Sequence, residues 1–328
     1  GILTSLALSC KVNPLSWFDR KHYFYSDLPA GYQITQQRAP LANNGIINFH
    51  VCTTDAKMKP YAKSSVLHQI QLEQDSGKSL HDDIMQSSLV DLNRAGIPLM
   101  EFVFAPDLSN GEEAAALVKE LCLILTRLGT CLCKMEEGGL RVDVNVSVNQ
   151  EGGPLGIRSE VKNIGSVRGV AKAVDYEIIR QCKILESGKN VINETRAWDP
   201  QNGVTVAMRD KEKNQDYRFM PEPNLPPLRL NMSKKKIPGL ISVLELYKKI
   251  PELPDETRSR LQNKYGLPLS SAIVLVNEDR LLELFEQIMM DNQKRSSKIV
   301  ANILIMELLA LVNTEVTDLN HRQFTKEN

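Results

Sequence analysis

The chain has 328 residues, 42% of them hydrophobic and 24% charged, which is enough for about two domains with buried cores. Its 40 Lys and Arg residues balance 40 Asp and Glu residues, so the zero net charge argues against strong non-specific binding to nucleic acid but leaves room for a local basic patch. Six cysteines without a disulfide-like framework favour a reducing compartment, and no apolar run approaches the roughly 20 residues of a membrane span.

The first segment, residues 14–36, is rich in aromatic and charged side chains. Tyrosines and a lysine alternate at residues 21–25, which suits an edge strand or a binding loop where an aromatic ring with a polar tip faces a ligand. An aromatic cluster under a loop explains this pattern about as well. Asn43-Asn44-Gly45 then predicts a hairpin turn before a strand at residues 46–51.

Residues 66–72 alternate like a strand and lead into Glu73-Gln74-Asp75-Ser76-Gly77-Lys78-Ser79. The Gly-Lys-Ser ending is similar to a phosphate-binding loop, but the first glycine of that motif would fall at Leu72, so we do not expect that nucleotide fold. In the next predicted strand Glu101 lies among apolar residues. Either pairing with Arg94 or ligation of a metal would offset the cost of its charge, and the sequence leaves both open.

Two helices are predicted with core-facing apolar stripes. The first covers residues 112–128, with a capping box of Ser109 and Glu112, and the Cys131-x-Cys133 pair after it lacks zinc spacing. The second begins at Ser166 and ends at Gly188. A hairpin with an Asn-Gly turn is predicted at residues 194–209, and the proline-rich residues 216–227 predict an extended loop. Helical patterns then follow one another, which predicts domains at residues 1–238 and 239–328.

The stretch at residues 135–162 combines two predicted strands with chemically capable faces. One strand places valines on one side and Arg141, Asp143, Asn145 and Ser147 on the other, and the next aligns Arg158, Glu160 and Lys162. A mixed-charge face is often only a solvated surface. Here Glu136-Glu137-Gly138-Gly139 precedes it, and acidic groups beside glycines suit a metal-nucleotide phosphate. The combination favours a site.

Long motifs resemble the B subunit of the glutamine-dependent aspartyl/glutamyl-tRNA amidotransferase, the GatB/GatE family. They are Phe18-Asp19-Arg20-Lys21, Asp91-Leu92-Asn93-Arg94, Met135-Glu136-Glu137-Gly138, Glu160-x-Lys162-Asn163 and Asp216-Tyr217-Arg218-x-x-Pro221-Glu222-Pro223. The resemblance covers most of the chain. It implies an α+β fold, with an antiparallel sheet and flanking helices like those of glutamine synthetase and guanidino kinases, followed by a small all-α domain. In the family a tail domain that grips tRNA follows.

The resemblance also implies an activity, cofactors and partners. The family uses ATP and Mg²⁺ to phosphorylate the side-chain carboxylate of Glu or Asp mischarged on tRNA, and then aminates it. Ammonia arrives through a tunnel from a glutaminase subunit, and a third, small subunit holds the complex together. The implied compartment is the mitochondrial matrix, or the cytoplasm if the chain is bacterial, with no membrane partner.

Nine residues are candidates on this basis. The catalytic set is Glu137, Arg141, Asp143, Glu160 and Lys162, because phosphoryl transfer needs cations to absorb developing charge and carboxylates to hold Mg²⁺. Glu101 and Glu73 are the expected metal ligands. Lys21 and Tyr23 match family positions near the tunnel exit and the acceptor end.

The chain departs from the family pattern at three places. It has Glu73-Gln74 where the family commonly has two glutamates, it begins after an N-terminal strand with a Glu-x-His pair, and it stops before the tail domain. We therefore expect an organellar form without that strand and tail. Two alternatives stay open: a non-catalytic scaffold subunit of the same complex, and a free-standing ATP-dependent ligase or guanidino kinase, which fits the strand chemistry but not the motifs.

Overall fold

The computed structural model describes residues 1–53, 58–82, 87–208, 217–292 and 294–315. Two compact units divide the chain: residues 1–47 with 64–250, and residues 48–63 with 251–328. Within the described ranges, no helix combines the length and the apolar character that a membrane crossing requires. The domain division at residues 238 and 239 stays a prediction.

The strands lie mostly in the first unit. In chain order they are β1 (Lys11–Val12), β2 (Leu15–Ser16), β3 (Asp19–His22), β4 (Tyr32–Thr35), β5 (Ala42–Val51), β6 (Tyr61–Gln74), β7 (Lys78–Asp82), β8 (Ser87–Asp91), β9 (Pro98–Phe104), β10 (Val142–Val146), β11 (Ser159–Ile164), β12 (Thr195–Asp199), β13 (Val204–Ala207), β14 (Arg218–Pro221), β15 (Leu228–Asn231) and β16 (Ile241–Ser242). Several sheets result, with the orders β1-β5-β6-β9, β10-β11-β12-β13, β14-β3-β4, β16-β15-β2 and β7-β8. Most of the pairs are antiparallel, and β11–β12 and β15–β16 are parallel.

Helices accompany these sheets and dominate the second unit. They are α1 (Ile2–Ala7), α2 (Gly111–Arg127), α3 (Val167–Glu186), α4 (Val243–Tyr247), α5 (Pro254–Tyr265), α6 (Leu269–Asn277), α7 (Asp279–Asp291), α8 (Ser297–Asn302), a π-helical segment (Ile303–Leu308) and α9 (Leu309–Glu315). The chain is thus a mixed α and β protein with helices and several sheets whose pairs are mostly antiparallel.

The predicted hairpin turn at Asn43-Asn44-Gly45 is wrong, because β5 runs through it as one strand. Asn44 adopts a left-handed conformation with φ of 53°, which bends the strand locally. Gly45 is needed at the bend because a Cβ there would lie 2.8 Å from the backbone oxygen of Leu8. The Asn-Gly signal therefore marks a kink packed against the end of α1.

The two central strands are confirmed with different bounds, because Arg141 and Ser147 flank β10, and β11 begins after Arg158 and continues past Lys162 to Ile164. Antiparallel pairing sets Asn145 opposite Glu160, and the valines of both strands face a core. Helices α2 and α3 supply the other side of that core and pack closely, because Gly111 has no side chain to collide with the backbone oxygen of Ala171. One face of the sheet is covered by helices, and the polar face stays open.

Both predicted helices of the first unit are confirmed, but one cap differs. Asn110, not Ser109, caps α2: its side-chain oxygen accepts a hydrogen bond from the backbone N–H of Glu113 at 2.9 Å. The Glu113 carboxylate accepts in return from the backbone N–H of Ser109 at 2.7 Å. Ser166 caps α3 as predicted, accepting from Gly169 at 3.0 Å.

The proline-rich stretch is wrongly predicted as a loop throughout, because residues 218–221 form strand β14. It pairs with β3, setting Pro221 opposite Asp19 and Phe219 opposite Lys21. Proline is tolerated because β14 is an edge strand and Pro221 is its last residue. Asp216, at the start of the predicted loop, lies outside the described residues.

The second unit has its own apolar core, built by α5 to α9. Buried side chains such as Leu261, Leu275 and Phe285 meet there, and Tyr265 contacts Phe285 edge to face with ring centroids 5.2 Å apart. Pro254 begins α5, and Gly266 ends it in the left-handed conformation that favours glycine. Helix periodicity was the signal that predicted this region, and the helices are present.

Candidate active site

A polar face in the first unit gathers side chains from six strands and the segment just before β10. Its charged members are Lys21 from β3, Glu73 from β6, Glu101 from β9, Arg141, Asp143 from β10, and Glu160 and Lys162 from β11. Gln33 and Thr35 from β4 and Gln71 from β6 add amides and a hydroxyl. We refer to this set as the polar cluster.

Glu73 and Glu101 form a carboxylate pair on neighbouring strands. The Gln71 amide donates to Glu101 at 2.5 Å and to Glu73 at 3.2 Å, and Glu73 also accepts from Thr35 at 2.5 Å and from Gln33 at 2.9 Å. The Glu101 residue is open to solvent on one side, yet desolvation and then the Glu73 charge raise its pKa. Two like charges held this close are stabilised by a proton or a cation.

The β10–β11 face carries the second half of the cluster. Lys162 Nζ lies 3.6 Å from the Glu160 carboxylate, and Asp143 faces both residues. Partial desolvation raises the pKa of Asp143, the carboxylates of Glu160 and Glu101 add to the rise, and the cations of Lys162 and Arg141 oppose it. The β10–β11 face therefore places the carboxylates of Asp143 and Glu160 next to the cations of Lys162 and Arg141.

A β-bulge shapes this face at Asn163. The register shifts by one residue between Val142 and Val144, and Asn163 takes up the extra residue with φ of 63°. Bulges re-aim neighbouring side chains and often flank active sites. Here the bulge follows Lys162 directly, so it affects how the Lys162 side chain is oriented toward the cluster.

Asp75 links the part of the cluster on β6 and β9 to the part on β10 and β11. Its carboxylate lies 2.8 Å from the Arg141 guanidinium and 3.9 Å from that of Arg94. Arg94 also donates to the backbone oxygens of Ser76 and Gly77 at 3.1 and 3.0 Å. Of the two possibilities for Glu101, pairing with Arg94 is therefore not the one formed in the described part of the chain.

An aromatic corner borders the cluster. The Lys21 ammonium lies 4.6 Å from the ring centroid of Tyr217 and 5.8 Å from that of Tyr23, within cation–π range. The two rings meet edge to face at 5.4 Å, and the Tyr23 hydroxyl donates to Gln33 at 3.0 Å. Burial raises the pKa of Tyr23, so its hydroxyl stays a neutral donor.

On the helix-covered side of the sheet, Glu177 of α3 contacts side chains of β12 and β13. Its fully buried carboxylate accepts from Arg180 at 2.6 Å and from Thr205 of β13 at 3.0 Å, and it lies 3.7 Å from Arg196 of β12. These partners hold the pKa of Glu177 below its usual value despite burial. Gln181, one turn on, donates to the backbone oxygen of Val146 in β10 at 2.9 Å.

The structure brings eight of the nine candidates together and places the ninth apart. Glu137 lies in a turn and pairs with Lys134 at 2.8 Å, with both side chains exposed. Sequence reasoning did not select Gln33, Thr35, Gln71 or Tyr217 as site residues. The signal for the first three was present, because Gln33 and Thr35, like Gln71 and Glu73, are two residues apart and share a strand face.

The Glu73–Glu101 pair fits a divalent cation as a two-carboxylate donor set. Among the residues that the structure describes, no group of three His, Cys, Asp or Glu side chains converges to hold a metal on its own. Mg²⁺ commonly takes one or two protein carboxylates and completes its shell with water and substrate phosphates. Desolvation and then the Glu73 charge raise the pKa of Glu101, and a bound cation would offset both effects.

Comparison with known proteins places these residues in a family. The GatB/GatE catalytic domain profile matches residues 1–236. The chain is 59% identical over 321 residues to the B subunit of the mitochondrial glutamyl-tRNA(Gln) amidotransferase of Aedes aegypti, covering 97% of this chain and 61% of that protein. It is 50% identical over 309 residues to the Homo sapiens protein of that name, covering 93% and 56%.

A bacterial relative extends the comparison. The B subunit of the aspartyl/glutamyl-tRNA(Asn/Gln) amidotransferase of Rhodopseudomonas palustris is 42% identical over 321 residues, covering 97% of this chain and 62% of that protein. The chain thus spans about 60% of the length of the curated relatives it matches. Since the profile covers every residue of the polar cluster and well over half of the chain, the chain belongs to the GatB/GatE catalytic domain family.

Proposed function

We propose that this chain is the transamidating subunit of a glutamyl-tRNA(Gln) amidotransferase, a carbon–nitrogen ligase with glutamine as amido donor. It converts Glu mischarged on tRNA(Gln), or Asp on tRNA(Asn), by phosphorylating the side-chain carboxylate with ATP and then aminating it. The names of the relatives support the tRNA amidotransferase role. The observation that carries the proposal is the polar cluster, where Lys21 lies near the Glu73–Glu101 pair and Lys162 and Arg141 lie near Asp143.

The chain's own residues suit phosphoryl transfer to a carboxylate. Charge develops on the transferred phosphoryl oxygens, and preorganised cations stabilise it. Lys162 and Arg141 lie on the face with Asp143, each restrained by a carboxylate partner, Glu160 or Asp75. Restraint of this kind limits the reorganisation that the cations need when charge appears.

Lys21 and Tyr23 suit the handling of the acceptor end and of ammonia. The Tyr23 hydroxyl and the Lys21 ammonium border Glu73 and Glu101 from the aromatic corner, and Lys21 offsets part of the Glu101 charge. A neutral phenol beside a cation can orient a polar nucleophile and keep bulk water away. Glu73 and Glu101 would hold Mg²⁺, which when bound neutralises phosphate charge.

The wider assignment rests on the relatives. We assign the chain to the mitochondrial matrix because the insect and human relatives are named mitochondrial. Ammonia would come from a separate glutaminase subunit, and a third, small subunit would complete the complex, since the relatives are named as one subunit of an amidotransferase. The body would have the glutamine synthetase/guanidino kinase-like fold, followed by a small all-α domain.

The test is ATP hydrolysis and Gln-tRNA formation in the complex reassembled from this chain, its partner subunits and Glu-tRNA(Gln). We expect turnover that depends on Glu-tRNA, and a loss of roughly 10²–10³-fold for Lys162→Met, the usual cost of removing one preorganised charged group. Val144→Ala is the control, because Val144 packs in the valine core on the opposite face. It should cost roughly 1–3 kcal/mol of stability and spare turnover.

Three results would overturn the proposal. Assembly of the complex without any Glu-tRNA-dependent ATP hydrolysis would favour the scaffold alternative. ATP turnover with a free amino acid and no tRNA would favour a free-standing ligase. Full turnover in Lys162→Met with loss in folded Val144→Ala would mean that the catalytic face of the sheet is the opposite one.

A further inference from the structure

A row of amides on β6 lies next to the Glu73–Glu101 carboxylate pair. Gln69, Gln71 and Glu73 occupy every second position of this strand, so their side chains share one face. Gln71 is only 5% exposed, whereas Glu101 on the neighbouring strand β9 reaches the solvent. A ligand can therefore approach Glu101 from the solution while Gln71 stays covered.

The Gln71 amide is a donor that the two carboxylates share. The strand register sets Gln71 directly opposite Glu101, and Gln71 Nε2 donates to Glu101 Oε2 at 2.5 Å. The same nitrogen donates to Glu73 Oε2 at 3.2 Å and to the Thr35 hydroxyl at 3.2 Å. One nitrogen thus restrains both carboxylates, which come from neighbouring strands.

Gln69 determines which end of the Gln71 amide faces the pair. Gln69 Nε2 donates to Gln71 Oε1 at 2.6 Å. A side-chain amide has one donor end and one acceptor end. If the Gln71 amide were reversed, its oxygen would meet the Glu101 carboxylate and its nitrogen would meet the donor of Gln69. The bond from Gln69 therefore favours the orientation in which Gln71 donates to both carboxylates.

Among the described residues, the side chains that donate hydrogen bonds to the pair carry no charge. They are the amides of Gln33 and Gln71 and the hydroxyl of Thr35, and all three residues are buried. A Lys or Arg side chain in their place would also donate, but its charge would cancel the negative charge that attracts a divalent cation. Neutral donors orient the carboxylates and preserve their charge.

We propose that Gln71 is a positioning residue for a divalent cation at the Glu73–Glu101 pair, and that Gln69 fixes its orientation. This inference rests on the proposed function, which assigns Mg²⁺ to the pair. Gln71 acts through the two carboxylates and not on the ion, because it holds them where both can bind the same cation. Groups that orient metal ligands in this way typically contribute roughly 10–100-fold to metal affinity.

Binding of Mn²⁺ to the full chain tests the inference without any turnover. The free Mn²⁺ concentration is followed by electron paramagnetic resonance as the metal is titrated, with neither nucleotide nor tRNA present. Glu101→Gln removes one ligand and so identifies the binding that belongs to the pair. Gln71→Met has a side chain of similar length that cannot donate, and we expect it to weaken this binding by roughly 10–100-fold.

Gln181→Met is the matched control. Gln181 is also a fully buried amide of the first unit, but it donates to the Val146 backbone oxygen at 2.9 Å and to Glu177 at 3.0 Å. Its replacement should lower the melting temperature, because buried acceptors lose their donor, and should leave the Mn²⁺ affinity unchanged. The control separates a loss of stability from a loss of ligand positioning.

Two further variants separate charge from orientation. Gln71→Glu keeps the shape of the side chain, cannot donate when ionised and adds a third carboxylate. It should melt below the wild type without metal, and Mn²⁺ should raise its melting temperature by more than that of the wild type. Gln69→Leu should weaken Mn²⁺ binding, and combining it with Gln71→Met should cause no further loss, because Gln69 acts through Gln71.

The outcomes distinguish this inference from the proposed function. Wild-type Mn²⁺ affinity in folded Gln71→Met would overturn the positioning role of Gln71, and additive losses in the double variant would overturn the role of Gln69. Unchanged binding in Glu101→Gln would overturn the inference together with the assignment of the metal to the pair. The expected Mn²⁺ affinities in a chain whose reassembled complex forms no Gln-tRNA would support the positioning role and overturn the proposed activity alone.

Discussion

The Asp75 carboxylate lies 2.8 Å from the Arg141 guanidinium and so joins the end of β6 to the start of β10. The two residues are far apart in sequence and lie next to strands of different sheets. The pair fixes where the Arg141 cation sits relative to Glu73, which lies two residues before Asp75 in the chain. We therefore expect the pair to matter more for turnover than for stability.

Asp75→Asn should lower amidation by roughly 5–30-fold, because the charge-assisted bond that orients Arg141 is worth about 1–2 kcal/mol. The unfolding free energy should change by less than about 1 kcal/mol, since the Arg141 side chain is nearly half exposed. A double-mutant cycle with Arg141→Met checks the coupling through kcat/KM. Additive losses would mean that Asp75 does not act through Arg141.

Glu137 provides a sharper test of the proposed site than any other residue. We expect Glu137→Gln to lower amidation by roughly 10²–10³-fold, the cost typical of one preorganised group, if the turn brings it to the cluster when substrates bind. Lys134→Met is the matched control, because it removes the same exposed ion pair from the other side. If both variants have equally small effects on steady-state rates, Glu137 has no role in catalysis.

The Glu73–Glu101 pair predicts a pH dependence of stability. Because the pKa of Glu101 is raised from 4.5, the folded protein holds this proton more tightly than the unfolded chain does. At a pH below its ordinary pKa, Glu101 does not change the free energy of unfolding. As pH rises through the raised pKa, the carboxylate loses its proton and lowers the free energy of unfolding. Glu101→Gln should therefore raise the melting temperature at neutral pH, by a gain of at most about 1 kcal/mol because solvent screens the pair.

Glu222→Gln is the comparison of opposite sign. The hydrogen bond from Arg20 holds the pKa of the buried Glu222 below its usual value, so its contribution is present above pH 4.5 and is lost as pH falls through the lowered value. This variant should melt lower than the wild type at neutral pH. Melting curves from neutral pH to about pH 3 measure both differences: the gain in Glu101→Gln should shrink first, as pH falls toward 4.5, and the loss in Glu222→Gln should shrink only below 4.5. A Glu101→Gln variant that melts below the wild type at neutral pH would contradict the repulsion.

Glu177→Gln should destabilise the first unit by about 3 kcal/mol, because removing one partner of a buried ion pair leaves the other charge uncompensated. Arg180 and Arg196 keep Glu194 as a second partner, at 3.4 and 2.6 Å, so the loss should not be larger. Denaturant unfolding measures the change. Glu245→Gln, which breaks an exposed pair with Lys248, is the control and should leave the unfolding midpoint where it is in the wild type.

Local patterns predicted the elements well wherever burial alternates along the chain. The valines of β10 and β11 and the N-cap of α3 are decided by neighbours in sequence, and the structure agrees with them. The Asn-Gly pair at residues 44–45 gave a wrong hairpin prediction. The backbone freedom that a hairpin turn would use here serves a bend in β5, where Gly45 packs against Leu8. Likewise, β14 exists because β3 offers an edge, which no local pattern of residues 218–221 reveals.

The site was predictable in its residue types but not in its pairing. Asp143, Glu160 and Lys162 were identifiable because charges on one face of a strand repeat every second residue. The bond from Gln71 to Glu101 and that from Asp75 to Arg141 depend on which strands become neighbours. Glu137 was selected from the adjacent glycines and from the family resemblance, and neither signal showed that it pairs with Lys134 at the surface.

The parallel pairing of β11 with β12 also has a kinetic consequence. A parallel pair cannot be closed by a tight turn, so residues 165–194, with α3 among them, must first cross over the sheet. Closing such a loop lowers the entropy of the chain before stabilising contacts form. Pairing of β11 with β12 should therefore be slower than formation of local hairpins such as β12–β13. In refolding experiments, Glu160 and Lys162 should therefore reach Thr195 and Ala197, their partners on β12, only after the local hairpins have formed.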